Sequence, residues 1–305
     1  MKNSFVIFAL SLFAAALSVT GQATTGATKQ ATAEAATSRV IQYGIYQPET
    51  INDYRAVQLH NGFNNYVVKL VQTKAMGNQP GKFEIRLREP TVYYSFSRPI
   101  DDFIRIKVGT IQLITLEPDL KDLQIWQRDG KAGFDMPFNF DGKKFTLTLY
   151  LREDSPVLWG RWQGASDVNV PVEISFNLVV SGFDPSKFEG VYERRADTSS
   201  RVIEMNSSPQ PLTPADSRLI FFDEKFQPGK LPNKNSVGPC FLTWQWNTVE
   251  TAQLWLNNYY HTSVTVQLKP ESPNFNFGLW ESKTARTNAE FMDYFKTNQA
   301  GFEQK

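Results

Sequence analysis

Five aromatic side chains are the strongest candidates for chemistry in this chain, and the chemistry they suit is ligand binding. They lie among polar residues in two short segments: Trp159 and Trp162 in one, and Trp255, Tyr259 and Tyr260 in the other. The apolar face of a sugar ring stacks on a flat aromatic ring, while neighbouring Asn, Gln and Arg side chains bond its hydroxyls. These five residues form the predicted ligand-binding site. The competing interpretation is that they are core residues, as most tryptophans are.

Carboxylates offer the alternative of glycoside cleavage, which needs two acids that face each other across a groove. Adjacent acids occur at Asp101-Asp102, Glu153-Asp154 and Asp223-Glu224. Neighbours on a strand point to opposite faces, so no doublet forms such a pair by itself. A pair would need separate strands, with Glu173, Asp167 and Glu250 as candidates. The sequence assigns no catalytic residue, and it favours a protein that is not an enzyme.

Signatures of other chemistries are absent from the sequence. Its two histidines, His60 and His261, stand in no metal-ligand spacing with each other or with the single cysteine, Cys240. A Gly-x-Ser-x-Gly nucleophile elbow and a glycine-rich phosphate loop are missing too. The sequence therefore predicts neither a metal site nor a cofactor.

Cys240 is predicted to be a small buried side chain with little reactivity, because its neighbours are mostly apolar. A single cysteine cannot close an intrachain disulfide, so burial must stabilise the fold. The alternative is a free thiol that links two chains.

Two-residue alternation of apolar and polar side chains dominates the chain beyond residue 39 and is typical of strands with one buried face. It is clearest over residues 83–88, 103–108 and 145–150. Further strands are predicted at 40–46, 66–73, 92–96, 111–116, 123–127, 158–162, 172–180, 188–194, 201–205, 218–222, 240–246, 263–268 and 275–280. Asp129-Gly130 and Asp141-Gly142 predict tight turns. The fold class is therefore mainly β and antiparallel.

The length of the chain favours two domains. We predict a β-sandwich domain of jelly-roll or Ig-like type over residues 39–181 and a second β-rich sandwich over residues 187–283, divided by a turn-rich stretch between them. Six prolines within residues 207–239 predict a long irregular loop in the second domain.

A short C-terminal helix is predicted over residues 287–300. Thr287 and Glu290 have the capping-box spacing, and Phe291, Tyr294 and Phe295 follow at helical intervals. We expect this aromatic stripe to dock on the second domain, with a protein-partner surface as the alternative.

The N-terminus indicates export from the cytoplasm. Residues 1–22 combine a basic start, an apolar run and small residues at the end, which is typical of a secretory signal peptide. The apolar run is shorter than the roughly 20 residues of a spanning helix, so no transmembrane anchor is predicted. Residues 23–38 are rich in Ala and Thr and predict a flexible leader. The expected location is secreted or periplasmic.

The charge and composition of the chain argue against nucleic-acid binding and favour a protein that binds a glycan or another protein. With 32 basic and 31 acidic residues, the chain has no overall field that would attract nucleic acid. A strand-rich protein with long loops and many aromatic residues suits binding. The leading hypothesis is a secreted, non-catalytic surface, matrix or carbohydrate-associated module whose partner is a glycan or another extracellular protein. The alternatives are a carbohydrate-active hydrolase or lyase on a jelly-roll scaffold and a structural subunit of an extracellular assembly.

Overall fold

The structure of the protein is a computed structural model that describes residues 39–49, 52–89, 102–178, 194–223, 240–256, 262–281 and 288–304. All of these residues belong to one compact unit. The predicted signal peptide and leader lie outside the described residues, as does the predicted strand at 92–96.

Antiparallel strands make up most of the described chain. In chain order they are β1 (Arg39–Glu49), β2 (Asn52–His60), β3 (Asn65–Thr73), β4 (Lys82–Glu89), β5 (Ile104–Val108), β6 (Ile111–Gln112), β7 (Gln124–Arg128), β8 (Lys131–Phe140), β9 (Lys143–Arg152), β10 (Leu158–Gly164), β11 (Val172–Leu178), β12 (Arg194–Thr198), β13 (Val202–Glu204), β14 (Gln210–Leu212), β15 (Arg218–Asp223), β16 (Cys240–Trp244), β17 (Val249–Leu256), β18 (Thr262–Leu268) and β19 (Phe275–Glu281). The mainly β, antiparallel, sandwich-like fold class is thus confirmed.

The strands form three sheets. A four-stranded sheet has the order β1-β2-β3-β4, and a six-stranded sheet has the order β14-β17-β18-β11-β5-β6. The largest sheet has nine strands in the order β13-β12-β15-β16-β19-β10-β9-β8-β7. The two larger sheets therefore combine pairings between consecutive strands with pairings between strands that are distant in sequence.

The predicted division of the chain into a domain at 39–181 and another at 187–283 does not match the sheets. Strand β10 pairs with β19, and β11 pairs with β18, so both large sheets contain strands from both halves. Each half alone would expose the edges of incomplete sheets. The two halves consequently form one sandwich-like unit, because their strands complete each other's sheets.

The main hydrophobic core lies on one face of the nine-stranded sheet, which we call its inner face. Phe138 of β8 packs on Phe83 of β4 with ring centroids 5.6 Å apart, and Phe277 of β19 packs on Phe176 of β11 at 4.9 Å. The four-stranded and six-stranded sheets thus cover neighbouring parts of the same face. Phe103 links them, because its N–H donates to Ile85 and its carbonyl accepts from Asn177.

The opposite, outer face of the nine-stranded sheet is covered in part by the C-terminal segment. Helix α1 (Asn288–Thr297) is followed by a 3-10 helix at Gln299–Phe302. The predicted helix is therefore confirmed, while its capping residue Thr287 lies outside the described residues. None of the helices in the described part of the chain is long and apolar enough to cross a membrane.

The aromatic stripe of α1 docks on the outer face as expected. The ring of Phe291 lies 4.8 Å from that of Trp280, and the ring of Phe302 lies 5.1 Å from that of Phe241. These four side chains are buried together with Phe295 in a second core cluster. The helix is thus attached by apolar burial to a sheet that both halves of the chain build.

The structure confirms the predictions for two tight turns and for one buried side chain. Asp129-Gly130 and Asp141-Gly142 both adopt positive φ angles, at 51° and 66° in the first pair and 54° and 78° in the second. These turns join β7 to β8 and β8 to β9. Cys240 is fully buried, and burial raises its pKa well above the usual value for a thiol. Its prediction as a buried core residue is confirmed.

Candidate functional site

A groove on the uncovered part of the outer face is the candidate site. Strands β7 to β10 and β19 hold its walls and floor, and the C-terminal segment borders it through Gln304. The groove has a volume of about 360 Å³. Eleven residues line it: Trp126, Arg128, Asp129, Lys131, Asp135, Thr148, Tyr150, Arg161, Gln245, Asn276 and Gln304.

The aromatic wall of the groove is formed by one row of residues that lie opposite one another on three adjacent strands. Trp126 of β7 lies opposite Gly133 of β8, which lies opposite Tyr150 of β9. Gly133 has no side chain between the two rings, so their centroids come within 6.2 Å at an interplanar angle of 37°. Both side chains are partly exposed and both line the groove. The row therefore presents a rigid aromatic surface on a paired sheet.

Its polar floor is the next row along the same strands. Asp135, Thr148, Arg161 and Asn276 lie opposite one another on four successive strands. Adjacent strands are about 4.8 Å apart, so the row offers a hydrogen-bonding group at each such step. Asp135 accepts a hydrogen bond of 2.6 Å from the Thr148 hydroxyl, and Asn276 donates one of 2.8 Å to Gln245. These bonds hold the floor side chains in place.

Two cations stand at the turn end of the groove. Arg128 and Lys131 lie opposite each other beside the Asp129-Gly130 turn. The Arg128 guanidinium carbon is 5.1 Å from the centroid of the Trp126 ring, and the Lys131 ammonium is 5.8 Å from the centroid of the Tyr150 ring. Cation–π attraction therefore positions both charges.

The surroundings of Tyr150 in the groove shift the pKa of its phenol. Burial raises the pKa of its phenol, and the nearby charges of Arg152 and Arg161 oppose that rise. The phenol thus remains a neutral hydrogen-bond donor at physiological pH. The indole Nε1 of Trp126, by contrast, is buried and has no hydrogen-bond partner among the described residues.

Trp159 and Trp162 do not form the ligand platform that the sequence analysis assigned to them. Each is completely buried. Trp162 faces the main core and stacks on Phe145 with ring centroids 5.0 Å apart. Trp159 faces the outer side, where it belongs to the cluster beneath the C-terminal segment and its Nε1 donates to Ser155. Trp162 is three positions after Trp159, which is an odd step, so one strand turns the two side chains to opposite faces.

Trp255 remains a predicted ligand contact, at a different place from the groove. It is half-buried on β17 and lies opposite Ser263 of β18, which lies opposite Asn177 of β11. Ser263 and Asn177 line a polar pocket of about 250 Å³ on the outer face of the six-stranded sheet. Tyr259 and Tyr260 lie outside the described residues.

The acids proposed for a hydrolase do not gather in one groove. Glu173 lines the pocket on the six-stranded sheet and accepts a hydrogen bond from Gln267, whereas Asp167 and Glu250 are exposed and line none of the four pockets described. Among the described residues, no group of three or more His, Cys, Asp and Glu side chains is placed to hold a metal ion.

The groove residues were missed by the sequence analysis, although one signal pointed to them. The Asp129-Gly130 turn fixes the register of β7 and β8, and that register places Trp126 beside Gly133. The second tight turn then places Tyr150 on the same row. A local pairing argument would therefore have found the aromatic wall, but not Asn276 or Gln245, which come from distant strands.

Comparison with known proteins gives structural similarity only. No family model matches the chain, and no curated protein matches its sequence. The alpha-N-acetylgalactosaminidase NagBb from Bifidobacterium bifidum is similar with a TM-score of 0.44 and 8% identity, over 86% of this chain and 39% of that one. The GH36 alpha-galactosidase AgaB from Geobacillus stearothermophilus is similar with a TM-score of 0.38 and 9% identity, over 80% of this chain and 41% of that one.

A third similar structure is the Slr1438 protein from Synechocystis sp. PCC 6803, with a TM-score of 0.38 and 9% identity over 80% of this chain and 99% of that one. The first two are carbohydrate-active enzymes. This chain spans less than half of their length.

Proposed function

We propose that the protein is a secreted or periplasmic saccharide-binding protein without catalytic activity, and that the outer-face groove is its binding site. The observation that carries the proposal is the pairing of two rows on one sheet. The aromatic row of Trp126 and Tyr150 runs directly beside the polar row from Asp135 to Asn276. The secretion part of the proposal rests on the signal-peptide pattern of residues 1–22.

This arrangement fits the two-sided chemistry of a sugar. The C–H face of a pyranose ring needs a flat aromatic surface, and its hydroxyls need donors and acceptors at the ring edge. Asp135 supplies an acceptor, Asn276 and Gln245 supply amides, and Arg161 supplies donors. Since all of these side chains project from paired strands, the site is formed before the ligand arrives, which lowers the entropic cost of binding.

The groove does not support glycoside hydrolysis. Two acids line it, Asp129 and Asp135, and a glycosidase pair must lie about 5–9.5 Å apart. Lys131 and Asp135 are four residues apart on the extended strand β8, which corresponds to about 13 Å, and Asp129 lies farther along still. The two carboxyl groups are therefore too distant to act on one glycosidic bond.

The test is a glycan array on residues 23–305, followed by calorimetry on any glycan that binds. Trp126→Ala should weaken binding at least about 10-fold, because it removes the stacking surface. Trp255→Ala is the matched control, since it also removes a half-buried tryptophan from an outer sheet face. Loss of binding in the Trp255 variant alone would move the site to the six-stranded sheet. Failure of the wild type to bind any glycan would contradict the proposal.

A further inference from the structure

We propose that the saccharide bound in the groove is anionic, carrying a carboxylate that Arg161 receives. This inference rests on the proposed function and specifies its ligand class. Three cations line the groove, Arg128, Lys131 and Arg161, against two carboxylates, Asp129 and Asp135. The groove thus keeps one positive charge in excess, which matches a single acidic group on the ligand.

The three cations have no ion-pair partner within the part of the chain that the structure describes. Three other arginines of the described chain do have such a partner. Arg152 pairs with Asp154 at 2.9 Å, Arg195 pairs with Asp197 at 2.7 Å, and Arg201 pairs with Asp216 at 3.2 Å. The first two of these pairs join residues two apart in sequence. Two positions from Arg161 stand Trp159 and Gln163, so its own strand offers it no acid.

The position of Arg161 explains why its charge stays unpaired. Thr148 separates it from Asp135 on the floor row, and Asn276 lies on its other side. Because Thr148 is short, the floor is low between the acid and the guanidinium. A sugar ring seated over Thr148 against Tyr150 would reach Asp135 with its hydroxyls and Arg161 with a carboxylate. A guanidinium matches a carboxylate with two parallel hydrogen bonds.

Arg128 and Lys131 add to the same field. Like charges directly opposite each other in an antiparallel pair destabilise the pair. Here they are held over the rings of Trp126 and Tyr150, which positions the charges without neutralising them. An anionic ligand would relieve their repulsion. The groove therefore favours an acidic saccharide over a neutral one of the same shape.

The experiment compares oligosaccharides that differ only in the carboxylate. Calorimetry would measure the affinity of the wild type for galactotriose against trigalacturonate and for cellotriose against its uronate counterpart, at low and high salt. We expect the acidic member of at least one pair to bind at least about 10-fold more tightly, with the preference shrinking at high salt because the charges are exposed. A sulfated trisaccharide tests whether another anion substitutes for the carboxylate.

Variants then assign the preference to Arg161. Arg161→Gln should abolish the acid preference, because it weakens binding of the acidic sugar more than binding of the neutral one. Arg161→Lys should retain part of the preference, since an ammonium cannot form the two parallel hydrogen bonds of a guanidinium. Arg105→Gln is the matched control, because Arg105 is likewise an exposed strand arginine but lies on the six-stranded sheet. Thermal unfolding checks that each variant is folded.

The outcomes separate the two proposals. Equal or tighter binding of the neutral sugars, or an acid preference unchanged in Arg161→Gln, overturns the anionic inference and leaves saccharide binding intact. Tighter binding of the sulfated sugar than of either uronate overturns the carboxylate assignment. Binding of none of these sugars, together with an empty glycan array, overturns both.

Discussion

The rings of Trp126 and Tyr150 lie 6.2 Å apart across a strand that contributes no side chain between them. The strand between them is β8, and its residue at this position is Gly133. Gly133 pairs with Trp126 on one side and with Tyr150 on the other. A β-carbon at Gly133 would lie 2.4 Å from the Leu149 carbonyl oxygen and 2.5 Å from Cβ of Tyr150. The aromatic wall of the groove thus depends on the absence of one methyl group.

Gly133→Ala should destabilise the protein by about 1–3 kcal/mol and weaken glycan binding, because Tyr150 and the β9 backbone must move to admit the methyl. Urea denaturation measures the first effect and calorimetry the second. Gly142→Ala is the control. It meets no atom within 4 Å, so it should pay only the cost of its positive φ and retain binding. A Gly133 variant as stable as the wild type would contradict the packing argument.

Three strands show how much of the secondary structure can be predicted from the sequence alone. Residues 83–88 and 145–150 alternate without interruption, and they lie in β4 and β9. Strand β17 was missed, because a register shift between Val249 and Thr251 breaks the alternation at its start. Local pattern therefore identifies regular strands, and it fails where a bulge changes the face that a side chain occupies.

The sheet order could not be predicted, because it depends on contacts between distant residues. The pairing of Trp159 with Gly278 is an example, since the Trp159 ring fills the space above a glycine more than a hundred residues away. The sequence around Trp159 and the sequence around Gly278 contain no pattern that predicts this contact. The same non-local pairing brings Asn276 to the groove floor, so the polar row was beyond reach while the aromatic row was not.

Asp102 should make the free energy of unfolding fall as the pH rises from about 4 to about 7. Burial, followed by the charge of Glu84, raises its pKa to about 7, although the Ile85 N–H donates to the carboxylate at 2.7 Å. A carboxyl with a raised pKa keeps its proton longer in the folded state than in the unfolded one. Unfolding therefore releases a proton between about pH 4 and pH 7, and the free energy of unfolding decreases over that window.

The expected loss between pH 5 and pH 8 is more than about 1 kcal/mol, since one pKa unit corresponds to about 1.4 kcal/mol. Urea denaturation at both pH values measures it in the wild type and in Asp102→Asn. The variant cannot ionise at this position, so its stability should change much less over the same range. An equally steep dependence in both proteins would show that another group is responsible.

Asp216 should act in the opposite direction at low pH. Its own burial raises its pKa, but hydrogen bonds from Thr198, Ser200, Thr213 and Arg201 outweigh that effect and hold the pKa well below the usual value. The stabilisation from its charge is therefore complete above about pH 4 and is lost as the pH falls further.

Asp216→Asn should consequently cost about 1–3 kcal/mol at pH 7, because an amide cannot accept all of these bonds, and should cost less near pH 3. Asp293→Asn is a suitable control, since Asp293 is an exposed acid on helix α1 whose side chain forms no hydrogen bond with any described residue. A penalty for the Asp216 variant that does not change with pH would contradict the role of its charge.

Ser155 should control how firmly the C-terminal segment is held to the sheet. Its hydroxyl donates to the Gly301 carbonyl and accepts from the Trp159 indole at 3.0 Å and from the Val157 N–H at 3.2 Å. All of these groups are buried, so Ser155→Ala leaves three of them without their partner and should destabilise the protein by about 1–3 kcal/mol. The loss should be concentrated at residues 288–304, because Gly301 is the attachment point.

Hydrogen exchange would show faster exchange there than in β9 and β10. Ser208→Ala, at an exposed serine, should leave both stability and exchange unchanged. Uniformly faster exchange across the whole chain in the Ser155 variant would mean that the segment does not open separately from the sheet.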